Sequence, residues 1–307
     1  MWLADCHLNA DLVQSGSLWP KHMARLPEEQ AKRLYRTISD ETFRAFGTPL
    51  RYIANNGPWN FLGQLGDFVG GWLEQGCGHP EVQQVARAAT AQLRAVAPDT
   101  VYAVGNHETG YKSPLTIAGA GFCWESLQAC YQIFGQLFWK RELTNLVVVG
   151  VCSSLAEYAG TDPEVLKEKQ EQSEFLHDTL VRLRGRKWIL AAHKFATPKH
   201  FIREIQGYEK SLVAFVCGDL HDPFKHKLLK PVWSLHPNAT IRAVMKRSVM
   251  CPSTAPLWWR GYGMLTMEWD AENDRLTTHR IELERPADSV VLPTESMFTC
   301  FRWMMPF

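Results

Sequence analysis

An α/β fold is the class this sequence predicts, and three observations predict it. Short apolar runs rich in β-branched residues recur along the chain, each stopping at a polar or ionisable residue. Stretches of helical spacing separate them, and beyond about residue 230 the pattern turns mostly to strands. Continuous apolar runs of roughly four to eight residues suit strands buried on both faces. Their alternation with helices points to sheets layered against helices.

The elements follow in order. Trp2-Leu3-Ala4 ends at Asp5, the run 61–66 ends at Asp67, and 101–105 ends at Asn106-His107. Later, 146–151 leads to Ser153-Ser154, 188–192 ends at His193, and 212–218 ends at Asp219. Between them, residues 27–46 open with Pro27-Glu28-Glu29, a composition suited to a first helical turn. Residues 81–96 follow Pro80 and carry Val82, Val85, Ala89 and Leu93 on one stripe. Residues 162–183 begin Asp162-Pro163-Glu164, a cap with proline at the first helical position. Closing strands are expected over 241–251, 262–269 and 276–283, the last two joined by the turn-like segment 270–274.

Composition narrows the function. With 33 Lys+Arg against 32 Asp+Glu, the net charge of +1 argues against an extended nucleic-acid track, which needs a basic surface. Hydrophobic residues at 46% and charged residues at 21% argue against a disordered or fibrous chain. No run reaches the roughly 18 apolar residues of a membrane span, and no signal segment is visible. The eight cysteines form no CxxC pair, and several, such as Cys152 and Cys217, sit inside apolar runs. A reducing, cytoplasmic setting is expected. With no repeat, low-complexity segment or charged linker, residues 1–307 read as one domain.

In open α/β sheets, ligands gather outside the carboxyl ends of the strands. Asp5, His7, Asp67, Asn106, His107, His193, Asp219 and His221 all fall at such ends. Asp5 and His7 stand two apart, as do Asp219 and His221, and alternation along an extended segment is expected to point each pair to one side. Gly66, Gly105 and Gly218 each precede the first polar residue, where a sharply turned backbone releases the next side chain into a site. Carboxylates, imidazoles and an amide oxygen form a mixed donor set for Mn²⁺, Fe²⁺, Zn²⁺ or Mg²⁺. So many groups exceed the need of one ion. They suit two, roughly 3.5–4 Å apart, sharing a bridging carboxylate.

Taken in order, Asp5-Cys6-His7, Gly66-Asp67, Gly105-Asn106-His107-Glu108, His193 and Gly218-Asp219-Leu220-His221 resemble the DxH, GD, GNH(D/E), H and GHxH motifs of the calcineurin-like metallophosphoesterases. Each fragment alone is common; all five in order, each behind an apolar strand, are specific. The resemblance covers residues 1 to about 225. It implies a four-layer αββα sandwich, enlarged by helical insertions at 11–60 and 110–140. It also implies one metal held by Asp5, His7, Asp67 and His221, and a second held by Asp67, Asn106, His193 and Asp219. Manganese is the first expectation for both ions, with iron, zinc or magnesium as alternatives. His107 matches the histidine that assists the leaving group, Glu108 would orient it, and a water bridging the metals would be the nucleophile. The implied activity is phosphoester hydrolysis, on a phosphorylated small molecule, a nucleotide or a lipid-like substrate. Lys112, Lys194 and Arg260 lie near the motifs and are expected to contact phosphate.

Position 219 departs from the family, with Asp219 where the first histidine of GHxH is usual. Three carboxylates then face the four positive charges of two ions, which favours harder Mn²⁺ or Mg²⁺ at the second position. Gly66 to Gly71 and Gly105 to Glu108 also resemble protein Ser/Thr phosphatases, but the Asp-Arg pair of their GDxVDRG motif is absent. That activity and a non-catalytic scaffold are the alternative readings. The apolar tail 297–307 calls for burial, on its own domain, in a homodimer contact or at a membrane surface.

Overall fold

The structure, a computed structural model of the chain, describes residues 1–8, 42, 44–70, 76–110, 122–183, 185–220, 223–254 and 262–284. The fold is mixed α/β, with two mixed five-stranded sheets. The first runs β10 (Arg275–Glu282), β9 (Gly263–Asp270), β1 (Trp2–Leu3), β2 (Leu62–Gln64), β3 (Thr100–Tyr102) from edge to edge. In it β1, β2 and β3 are parallel, while β9 is antiparallel to both neighbours. The second runs β4 (Trp139–Leu143), β5 (Leu146–Val151), β6 (Lys187–Ala192), β7 (Leu212–Cys217), β8 (Ser248–Met250), parallel except for the β4–β5 hairpin.

Parallel neighbours need crossovers, and helices supply them. A helix over 44–56 (α1) lies between β1 and β2, and α2 (Pro80–Val96) between β2 and β3. Helix α2 starts where the sequence predicts, with Pro80 first and His79 Nδ1 accepting the Glu81 N–H at 3.3 Å. Two short helices, α3 (Asn106–Thr109) and α5 (Ser153–Glu157), follow strand ends, and α4 (Trp124–Phe134) precedes β4. Asp162 caps α6 (Pro163–Val181), accepting the N–H groups of Glu164 and Val165.

Apolar side chains gather in three clusters. One joins both sheets, with Trp2, Leu65 and Val101 from the first against Trp139, Val148, Ile189 and Val216 from the second. Another sets α2 and α4 on the first sheet through Leu3, Leu62 and Tyr102. In the third, α6 and α7 (Ile202–Ile205) join α8 (Pro223–Trp233) and α9 (Ala239–Lys246) on the second sheet. Trp139 Nε1–H donates to the Tyr102 carbonyl (2.8 Å), tying an edge of one sheet to an edge of the other. After β8 the chain returns to β1, where the Thr254 N–H reaches the Ala4 carbonyl (2.9 Å) and Ser253 Oγ–H the Asp5 carbonyl (2.9 Å). These ties bring the carboxyl ends of β1, β2, β6 and β7 to one place.

Two elements differ from the sequence expectation. Residues 241–251, read as a strand, form most of α9 and then the short β8. Thr240, Ile241 and Val244 favour a strand by type, but Asn238 Oδ1 caps the Ile241 N–H (3.1 Å), and Thr240, Ile241, Val244 and Met245 share one buried helical face. Residues 139–140, placed in a helical insertion, belong to β4. The insertions themselves contain α1 and α4, while residues 9–41, 43 and 111–121 lie outside the described residues, as does most of the predicted helix 27–46. No helix among the described residues is long and apolar enough to cross a membrane. The seven described cysteines are free thiols.

His226, on α8, carries a pH signature. Its Nε2–H donates to Ser248 Oγ (2.9 Å), and burial followed by nearby Lys230 lowers its pKa to about 4. The unfolded chain takes up this proton near pH 6.5 and the folded chain near pH 4, so stability is full above about 6.5 and is lost as pH falls through about 4. His226→Asn is expected to remove on the order of 2–3 kcal/mol of that acid loss. Urea midpoints measured from pH 7 down to 4 check this; a slope as steep as the parent's refutes it.

Candidate metal centre

Asp5, His7 and Asp67 have backbone φ angles of 50°, 48° and 49°, and Asp219, after β7, has 63°. They are four of six non-glycine residues with positive φ among those described; the other two, Asn145 and Asp274, sit in hairpin turns. A left-handed L-residue costs roughly 1–2 kcal/mol, and such strain collects at functional sites. The geometry corrects the expected alternation along an extended segment. The N–H groups of Asp5, His7 and Leu8 bond to the carbonyls of Gly66 (3.0 Å), Asp67 (2.9 Å) and Phe68 (3.0 Å), so the chain keeps its pairing beyond β2. Left-handed turns at 5 and 7 then redirect the side chains. Asp219 is likewise left-handed, and His221 lies outside the described residues.

Two groups of donor atoms result. Asp5, Asp67 and His193 have ligand atoms within 4.8 Å of one another, and so do His7, Asp67 and His107, with Asp67 common to both. His193 Nε2 is 3.2 Å from Asp67 Oδ1 and 3.7 Å from Asp219 Oδ1, while His107 Nε2 is 3.6 Å from Asp67 Oδ2. The His7 and His107 rings meet edge to face, centroids 4.9 Å apart. Backbone donors fix the carboxylates further. The Asp219 N–H donates to Asp5 Oδ1 (3.2 Å), and the His107 N–H to Asp67 Oδ1 (3.2 Å).

The fully buried His193 shows what the pocket suits. A carbonyl can only accept, so Nδ1 must carry the hydrogen it gives to Leu65 O (2.7 Å). Nε2 is then turned towards Asp67 and Asp219, and a histidine ligand is oriented in this same way by its second nitrogen. His193 Nε2 and Asn106 Oδ1 are buried and make no aligned hydrogen bond among the described residues. Such atoms are costly, and a divalent cation is a partner that suits both. The residues present therefore fit a metal.

Charge argues the same way. Burial would raise the Asp67 pKa, but His107, His193 and His7 outweigh it and hold the carboxyl well below its usual range. Burial would lower that of His193, but Asp67, Asp219 and Asp5 push it up to about 10. The carboxylates here demand positive charge, whether from a proton or a metal.

Glu108 acts on backbone. Its buried carboxylate accepts N–H groups from Gly105 (2.7 Å), Asp67 (2.9 Å) and Val69 (3.0 Å). These bonds hold the turn that carries Asp67 and the start of α3, whereas the resemblance implied that Glu108 orients His107. Burial, followed by Asp67, raises its pKa to about 7 despite the three donors. Gln64, missed in the sequence, holds both backbone groups of Gly66 (2.8 and 2.9 Å). A polar residue within an apolar run was the available signal.

The glycines differ in purpose. Gly66 needs its φ of 82°, while at Gly105 a Cβ would fall 2.4 Å from Asp67 Oδ1 and 2.6 Å from Asp67 N. Gly105→Ala is expected to weaken Mn²⁺ binding by at least about tenfold through this displacement of Asp67. Calorimetric titration checks it, and unchanged affinity in a folded variant would contradict it.

Lys194, expected at phosphate, places Nζ on Glu157 Oε2 (2.7 Å), and its N–H donates to Ser153 Oγ (2.9 Å). Glu157 carried no sequence signal; Ser153 was visible at the end of β5 but had no assigned role. Lys112 and Arg260 lie outside the described residues. Cys6 packs with Sγ 2.8 Å from Thr254 Oγ1, and burial pushes its thiol far above the usual range, which suits a packing role. A scan of the chain against protein-family models finds no match, and neither does a search of curated proteins.

Proposed function

We propose that the protein is a metal-dependent phosphoester hydrolase on a four-layer αββα sandwich of the calcineurin-like type. His193 supports the reading most: a buried imidazole, pinned at Nδ1, turns Nε2 towards two carboxylates. Helices packed outside each sheet and an apolar cluster between the sheets support the sandwich. Asp5, His7 and Asp67, with His221, would hold one divalent ion; Asp67, Asn106, His193 and Asp219 would hold the other. Manganese suits the oxygen-rich second set. When bound, the ions supply Lewis-acid activation of water and neutralise phosphoryl charge.

The chain's own residues orient this chemistry. Asp67 draws both donor groups into one frame, and Glu108 holds the backbone on either side of it. His107 is 25% exposed, and its Nδ1 is buried, so the proton it has to give is on Nε2. Asp67 Oδ2 lies 3.6 Å from that atom. His107 thereby donates to the leaving oxygen as general acid.

Metal analysis and turnover of bis-p-nitrophenyl phosphate and p-nitrophenyl phosphate with Mn²⁺ test the proposal. His107→Ala is expected to lower kcat by about 10²–10⁴. Absence of metal-dependent turnover would favour the scaffold, and turnover indifferent to His107 would refute its role as general acid. The diester-to-monoester ratio assigns the ester class. Asp219→His is expected to move metal preference towards Zn²⁺; an unmoved preference defeats the charge argument at that position.

A further inference from the structure

The outward face of α8 is inverted relative to an ordinary surface helix, which turns apolar residues in and polar residues out. Its exposed positions, at helical spacing, are Phe224, Lys227, Leu228 and Pro231, with Leu235 just beyond its end. Leu228 is 36% exposed and Leu235 82%. Polar side chains turn inward instead: His226 reaches Ser248 Oγ, and Lys230 Nζ donates to the Ser248 carbonyl (2.8 Å). Leu229 and Trp233 anchor the opposite side in the apolar cluster on the second sheet. The helix therefore has one apolar stripe inside and another outside.

Charge is segregated on the same segment. Residues 223–250 contain Lys225, Lys227, Lys230, Arg242, Lys246 and Arg247 but no Asp or Glu, in a chain whose net charge is +1. None of the six pairs with a carboxylate among the described residues. Helix α9 shares the layer of α8, since Ile241, Val244 and Met245 join Leu229 and Trp233 in one cluster. Its exposed Lys246 therefore adds to the same outer side.

We propose that α8 and α9 form a docking surface for an anionic lipid bilayer. Leu228, Pro231 and Leu235 enter the boundary between headgroups and acyl chains, and the exposed or half-exposed Lys225, Lys227 and Lys246 lie over the headgroups. The combination selects the occupant. An interfacial helix needs aliphatic area with a basic rim, whereas single-stranded nucleic acid is held by rows of stacking aromatics. A second copy of the chain would set this basic surface against itself. The inference does not depend on the hydrolase reading.

Sedimentation of the full chain with vesicles tests it, using phosphatidylcholine alone and phosphatidylcholine mixed with phosphatidylglycerol. Binding is expected on the anionic vesicles, weaker by about tenfold on neutral ones and weaker again at high salt. Leu228→Ser with Leu235→Ser, and separately Lys225→Glu with Lys227→Glu, are each expected to lower it by about tenfold. Both pairs are exposed or half-exposed, so circular dichroism and Tm should match the parent. No binding to anionic vesicles, or parental binding by the serine pair, overturns the proposal. So does tighter binding of a labelled oligonucleotide, or a dimer in light scattering that Leu235→Ser dissociates.

Discussion

Asp67→Asn is expected to lower kcat/KM by at least about 10³, a loss of roughly 4 kcal/mol of transition-state stabilisation. On the proposed reading, it should also lower the Mn²⁺ content by at least one of the two ions assigned to the centre. Asp67 belongs to both donor groups, with Oδ1 3.2 Å from His193 Nε2 and Oδ2 3.6 Å from His107 Nε2. Asparagine keeps the shape and an oxygen that can accept the His107 N–H, and it tolerates a φ near 49°. What it removes is the negative charge and the second anionic oxygen. The fold should survive, so the loss will report on the site. Metal content by elemental analysis, read beside turnover, decides the matter; parental values of both would refute the shared role of Asp67.

Glu108→Ala is expected to have the largest effect on stability. Three buried backbone N–H groups, of Gly105, Asp67 and Val69, would lose their acceptor. Each unsatisfied donor costs about 1–3 kcal/mol, so a loss on the order of 3–9 kcal/mol is expected. An ordinary domain has only about 5–15 kcal/mol of stability in total. Glu108→Gln retains one acceptor oxygen and should lose about half as much. Urea unfolding of both variants is the measurement, and a loss below about 1 kcal/mol for alanine would contradict the role given to Glu108.

The candidate site was legible to different depths. Asp5, Asp67, Asn106, His193 and Asp219 could be found because each follows an apolar run, and strand ends can be recognised locally. Asp5 and His7 were found for a reason the structure replaces, since their side chains depend on left-handed turns rather than alternation. The contact between Gly105 and Asp67 was invisible because it joins two turns distant in the chain. The Lys194–Glu157 pair was hidden for the same cause, since an ion pair between α5 and the end of β6 has no local pattern. Residues 241–251 misled because β-branched content is a weak guide where a cap and one-sided burial compete with it.

By itself, the sequence determined the α/β class, most of the strands, the proline start of α2, the cap of α6, and five residues whose ligand atoms the structure brings together. Periodicity, capping and placement at strand ends act over a few residues, and so they are written into the chain directly. Only the tertiary structure decided how those groups meet: His193 pinned by Leu65, Glu108 committed to backbone, and α8 apolar on its outer as well as its inner side. The reason is that a side chain's direction and the partner it meets depend on hydrogen bonds and packing from other elements. The left-handed turns at Asp5 and His7 accompany pairing beyond β2, and the aim of His193 is set by a carbonyl following β2, in the other sheet.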